Sequence, residues 1–96
     1  MKFDLNRKLI NAKGEPMKDG GREVTMAEPV SQMMFAASQG GTDEKMKCFD
    51  IWMRIRQNPS EVELSSEDVV LIKKVIGESM VAGALGQIVY VLENKC

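Results

Sequence analysis

Few residues in this chain have the types and spacing for chemistry. There is no histidine, which removes the commonest general base and the commonest transition-metal ligand. The two cysteines, Cys48 and Cys96, make no zinc site without histidine and are too few for a disulfide scaffold. Cys48 falls in an apolar helical pattern and reads as a small buried hydrophobe, whereas Cys96 is expected to be free to oxidise or to pair between molecules. Glu61, Glu63, Glu67 and Asp68 could share a cation, but Glu67 and Asp68 are better explained as first-turn residues favoured by a helix dipole. No Walker loop or dinucleotide fingerprint is present: Gly20-Gly21 and Gly40-Gly41 punctuate, and Gly83-Ala84-Leu85-Gly86 follows no strand. The sequence therefore assigns no catalytic, cofactor-binding or metal-binding residue, and an enzyme is not expected.

What remains is surface chemistry, and Arg56 is its sharpest point. In a helix from Asp43 to about Gln57, capped by Thr42 and stopped by Asn58-Pro59, the residues Asp43, Lys47, Asp50, Arg54 and Gln57 form a narrow polar stripe. Met46, Cys48, Phe49, Ile51, Trp52, Met53 and Ile55 cover more than half the circumference, and Arg56 projects into that arc one turn beyond Trp52. Three readings are open. Arg56 snorkels along the core with its head in water, stacks as a cation on Trp52, or meets a carboxylate of a partner. The wheel places Trp52 itself in the core.

The elements that must position these residues are mostly helical. The clearest is VELSSEDVVLIKKVIG, residues 62–77. Ser65 is a strong N-cap with Asp68 three residues on, a near relative of the capping box, and Leu64 and Val69 stand where a hydrophobic staple would. Val69, Leu71, Ile72, Val75 and Ile76 share one side, and Gly77 is placed to end the helix. A last helix, about Ser79 to Glu93, has no charge between Glu78 and Glu93 and is apolar around most of its surface. It is too short to span a bilayer, which needs about 20 residues. It reads either as a central core helix or as a helix shared between subunits through Gly83, Gly86 and Tyr90, which lie along one side.

Upstream, Phe3 and Leu5 alternate with polar residues as in a half-buried strand. Asn11 to Pro16 supplies a turn in which Gly14 takes a positive φ, and Met17–Asp19 returns as a second strand before Gly20-Gly21 breaks it. Arg22-Glu23-Val24 is a further extended piece. Thr25 and Glu28 mark a capping box for a helix to about Ser38, although Pro29 would be awkward at its fourth position and could move the start. Met26, Val30, Met33 and Ala37 make the stripe of this helix, with Met34 beside it. Met33 and Met34 belong to a methionine-rich run that fills gaps in a core or serves an adaptable surface.

Together these readings predict one α+β domain over residues 1–96: a hairpin region, 1–24, packed on about four helices in 25–96. With 13 basic and 14 acidic residues, no global field draws the protein to nucleic acid or membranes. Helix-turn-helix chemistry fails, because the helix after Gly77 offers Gln87 and no Arg or Lys. A basic N-terminal face would need Lys2, Arg7, Lys8, Lys13, Lys18 and Arg22 together, with acids interrupting them. The start, MKFDLNRK, lacks the apolar run of a signal peptide, so a cytoplasmic setting is expected.

The opening MKFDLNRKL, the turn GEP, the block VELSSEDVVLIKKVIG and the following GQIVYVLE resemble small proteins encoded in tailed-phage and prophage genomes. The resemblance spans most of the chain, with MMFAASQGG matching least, and its motifs are caps and core positions. It implies a bacterial host-cell cytoplasm and no catalytic residues. The expected function is thus a non-catalytic protein-interaction or assembly accessory of phage or prophage type, with self-association as a homo-oligomer among the expectations. Its protein partner is unnamed by the sequence, and its candidate interface is Arg56, Trp52, Gly83, Gly86, Tyr90, Met33 and Met34. The alternative is a nucleic-acid-associated regulator using the basic hairpin. No cofactor and no membrane are expected.

Overall fold

The computed structural model describes residues 1–93, so the expectation for Cys96 lies outside the described residues. The architecture is α+β. Short strands β1 (Lys2–Phe3), β2 (Lys18–Asp19), β3 (Arg22–Glu23) and β4 (Val62–Glu63) lie against helices α1 (Ala27–Phe35), α2 (Thr42–Gln57), α3 (Ser66–Gly77) and α4 (Ala82–Leu92).

The strand pairings differ from the simple hairpin expected. β1 pairs antiparallel with β4, Phe3 opposite Val62, and not with the segment after the first turn. The reason is burial: Phe3, Leu5, Val62 and Leu64 are all core residues. Two alternating strands of period two can meet that demand only by lying side by side. Flanking bonds extend the pairing, Leu64 N–H donating to Met1 O at 2.9 Å and Leu5 N–H to Pro59 O at 2.8 Å. The hairpin forms instead between β2 and β3, with Lys18 opposite Glu23 and Asp19 opposite Arg22. Gly20 and Gly21, read from sequence as a break, are its two-residue turn, both at positive φ (62° and 82°). That is the backbone twist a two-residue hairpin loop requires. The turn at Asn11–Pro16 forms as expected, with Gly14 at φ 82° and a bridge between Ile10 and Pro16.

α3 begins where the sequence indicates. Ser65 Oγ accepts from the Asp68 N–H at 3.1 Å, and Asp68 Oδ2 accepts from the Ser65 N–H at 2.9 Å, a complete reciprocal box. Gly77 ends the helix without a left-handed cap; Glu78 stays right-handed, and the Met80 N–H returns to Ile76 O at 3.0 Å. α1 shows only half of the Thr25 box, Thr25 N–H donating to Glu28 Oε2 at 3.1 Å, and it ends at Phe35, short of Ser38. Starting at Ala27, it places Pro29 third, where no intrahelical N–H is needed. Thr42 is the first residue of α2 and makes no side-chain cap.

The core is one cluster among the described residues. Val30 and Met34 of α1, Cys48, Ile51 and Ile55 of α2, Leu71, Ile72 and Ile76 of α3, and Ile88 and Leu92 of α4 all join it. α1 packs on α2 and α3, and α3 packs on α2 and α4. α4 is therefore at the edge of the bundle and not its centre. Ala84, Ile88, Val91 and Leu92 face inward, while Gly83, Gly86 and Tyr90 face solvent. Three other short helices cannot surround a fourth, so the apolar circumference of α4 is only half used.

Candidate interaction surface

The core-facing side of α2 is narrower than the sequence suggests. Cys48, Ile51 and Ile55 point inward, and the rest of the broad apolar arc is left at the surface. Met46 is 60% exposed, Phe49 42% and Met53 39%, and Trp52 is half-buried where the wheel put it in the core. From the end of α1, Phe35 joins them, 61% exposed. The correction has a geometric cause. α2 meets α1 and α3 along one side, and at ~100° per residue those contacts cover well under half of a helix.

Trp52 organises this surface. Its ring lies 4.7 Å from that of Phe35 at 54° and 5.5 Å from that of Phe49 at 32°, tilted contacts of the kind aromatic pairs prefer. The Arg56 guanidinium carbon stands 5.6 Å from the Trp52 ring centroid. The cation–π contact expected for Arg56 is formed, and Arg56 enters no ion pair among the described residues. Lys45, one α2 turn ahead of Phe49, is exposed and likewise outside every described ion pair.

The opposite flank of α2 is tied down. Arg54 donates to Asp50 Oδ2 at 2.8 Å, to Asp68 Oδ2 at 2.9 Å and to Glu63 O at 2.7 Å, joining α2 to β4 and α3. Partial burial opposes ionisation of Asp68, but hydrogen bonds from Arg54 and Ser65 outweigh it and hold the carboxyl below its usual value. Of the four carboxylates considered for a shared cation, Asp68 is thus occupied by the cap and Arg54, and Glu63 pairs with the N-terminal ammonium at 2.6 Å. No group of three or more His, Cys, Asp or Glu side chains is arranged to hold a metal among the described residues.

The other expected site residues are scattered. Met34 is in the core and offers no surface. Met33 is half-buried in a cleft of about 210 Å³ between α1, α2 and α3, which Cys48 lines and the Lys74–Glu44 ion pair (2.7 Å) borders. Burial, then the nearby Glu44 carboxylate, pushes the Cys48 thiol above its ordinary pKa, so it is a poor nucleophile there. Gly83, Gly86 and Tyr90 do share one exposed side of α4, far along the chain from Trp52 and Arg56. In the N-terminal arm, Lys8 pairs with Glu23 and Arg22 with Glu28, so two of the six basic residues are already neutralised.

Phe35, Met46, Phe49 and Met53 are the surface residues that sequence reasoning placed wrongly or passed over. For Met46, Phe49 and Met53 the signal was the width of the α2 arc itself, too broad for the neighbours available; Phe35, at the end of α1, had no such signal. No helix among the described residues is long and apolar enough to cross a membrane. The chain matches no family model, no curated protein and no solved structure.

Proposed function

We propose that the chain is a non-catalytic protein-interaction module, an assembly accessory of phage or prophage type acting in the cytoplasm of a bacterial host. The observation that carries this reading is the apolar cluster of Phe35, Met46, Phe49 and Met53, left exposed around Trp52, which itself packs partly against the core. Contiguous apolar patches on a folded chain mark places where another macromolecule sits, and aromatic, Met and Arg side chains are the types enriched there. The Gly83–Gly86–Tyr90 side of α4 is a second exposed apolar strip, suited to a two-fold contact with another copy.

The test is a photo-crosslinking amino acid placed at Phe49, at Tyr90, or at Lys13 as a control, in chains expressed in bacterial cells carrying the phage or prophage. A discrete adduct at Phe49 and none at Lys13 is expected. An adduct of twice the chain mass at Tyr90 would identify self-association. Absence of any adduct at both Phe49 and Tyr90 would overturn the reading.

A further inference from the structure

We propose that the Trp52 face of α2 docks an acidic amphipathic segment of a partner protein, with apolar anchors on Phe49 and Met53 and carboxylates on Arg56 and Lys45. This deepens the interaction reading above and rests on it. The argument is one of charge. Going round α2 from Trp52 to Met46, about 120° at 100° per residue, one meets Lys45, Arg56, Phe49 and Met53. Both charged residues in that arc are basic, and neither has an ion-pair partner among the described residues.

The acidic residues of α2 lie outside the arc or are engaged. Asp50 is held by Arg54 at 2.8 Å, and Glu44 by Lys74 at 2.7 Å. At the far end Arg56 shares a cleft with Glu28, whose carboxylate is taken by Arg22 at 2.7 Å and by the Thr25 N–H at 3.1 Å. An incoming carboxylate would therefore find two unspent cations beside an apolar floor. Arg56 is already placed by its stacking on Trp52, which limits the rotamer freedom lost when it binds. Met46 and Met53 are unbranched and adaptable, and they suit a helix laid across them better than a flat rigid ligand.

Single-stranded nucleic acid, the other occupant of aromatic and basic surfaces, is less well served. Such a ligand needs a basic groove that follows several phosphates, and among the described residues the arc offers two unpaired cations, Lys45 and Arg56.

The test uses the full chain and its single tryptophan as the reporter. Three synthetic amphipathic helical peptides share one Leu/Phe stripe and differ only in carrying Glu, Gln or Lys beside it. A fourth titration uses oligo-dT. The Glu peptide is expected to shift Trp52 emission saturably and bind tightest, with binding that weakens as salt rises. Arg56→Gln, a change at an exposed side chain, should weaken it by about tenfold and leave the Gln peptide unaffected. Equal binding of all three peptides, no binding of any, or tighter binding of oligo-dT would each overturn the proposal. A Phe49 crosslink in cells alongside no peptide binding would leave the interaction reading standing and reject the acidic partner alone.

Discussion

Gln87 of α4 holds the backbone of Ile10 as a neighbouring strand would. The Ile10 N–H donates to Gln87 Oε1 and Gln87 Nε2 donates to the Ile10 carbonyl, both at 2.9 Å. The same Nε2 also donates to Gly83 O at 2.9 Å, which fixes the amide on its own helix. The one strongly polar side chain inside an otherwise apolar helix is thus spent on fastening the N-terminal arm to the far end of the chain.

Gln87→Ala removes both bonds at once. The site is exposed, so the expected loss is modest, about 1 kcal/mol of stability, since a hydrogen bond contributes roughly 0.5–1.5 kcal/mol net. The more local measurement is amide exchange at Ile10, which should speed up well beyond that of core amides. Unchanged exchange there would show that the arm is held by other contacts.

Acid should weaken the α2–α3 junction. The Asp68 carboxyl titrates below its unfolded value, so the stability it contributes is complete above that value, near 4, and is lost as pH falls through the folded one. Glu28, held down first by its hydrogen bond from Arg22 and then by the Thr25 N–H, adds in the same sense. Urea midpoints should therefore decline as pH drops below about 4. Asp68→Asn should be less stable at neutral pH and show a flatter decline. Parallel profiles for the two proteins would remove Asp68 from this account.

Two glycines should respond with opposite signs. Gly40 has φ 87°, and a Cβ there would run into the Glu44 carboxylate, so Gly40→Ala should cost about 1–2 kcal/mol. At Gly86 a Cβ meets nothing within 4 Å, so Gly86→Ala in dilute protein should gain about 0.5–1 kcal/mol from the helix interior. Thermal unfolding at low micromolar concentration checks both. A loss at Gly86 would mean that another backbone already approaches there.

Trp52→Ala should cost about 1–3 kcal/mol, less than the ~3–5 of a fully buried tryptophan, because its ring rests on Phe35 and Phe49 at a half-buried site. Native emission should fall between that of a core indole and that of free solvent. An emission maximum typical of a buried indole would restore the core position that the helical wheel suggested.

Local signals were legible and competition for neighbours was not. Ser65 and Asp68 are three residues apart and bond to each other, so the start of α3 could be read from the chain alone. The φ of Gly14 followed from the turn around it in the same way. β1 pairs with β4 across some sixty residues, and nothing near Phe3 says that Val62 will lie opposite. Arg54 likewise reads as one member of a polar stripe until Asp68 and Glu63 are brought beside it. The interaction surface failed in the same way. Periodicity reports which residues would gain from burial, whereas packing decides which of them obtain it, and α2 and α4 each asked for more cover than three short neighbours supply. Arg56 and Trp52 were found together because they are one turn apart, while Phe35 required the tertiary fold.

The most direct measurement of the central claim compares the parent chain with the Met46→Glu, Met53→Glu double variant, each carrying the photo-crosslinker at Phe49. If the exposed face of α2 is for binding, the double variant should unfold within about 0.5 kcal/mol of the parent, as surface changes do, and lose the adduct. A loss of more than about 2 kcal/mol with the adduct intact would contradict it, because those methionines would then be packing the fold and not meeting a partner.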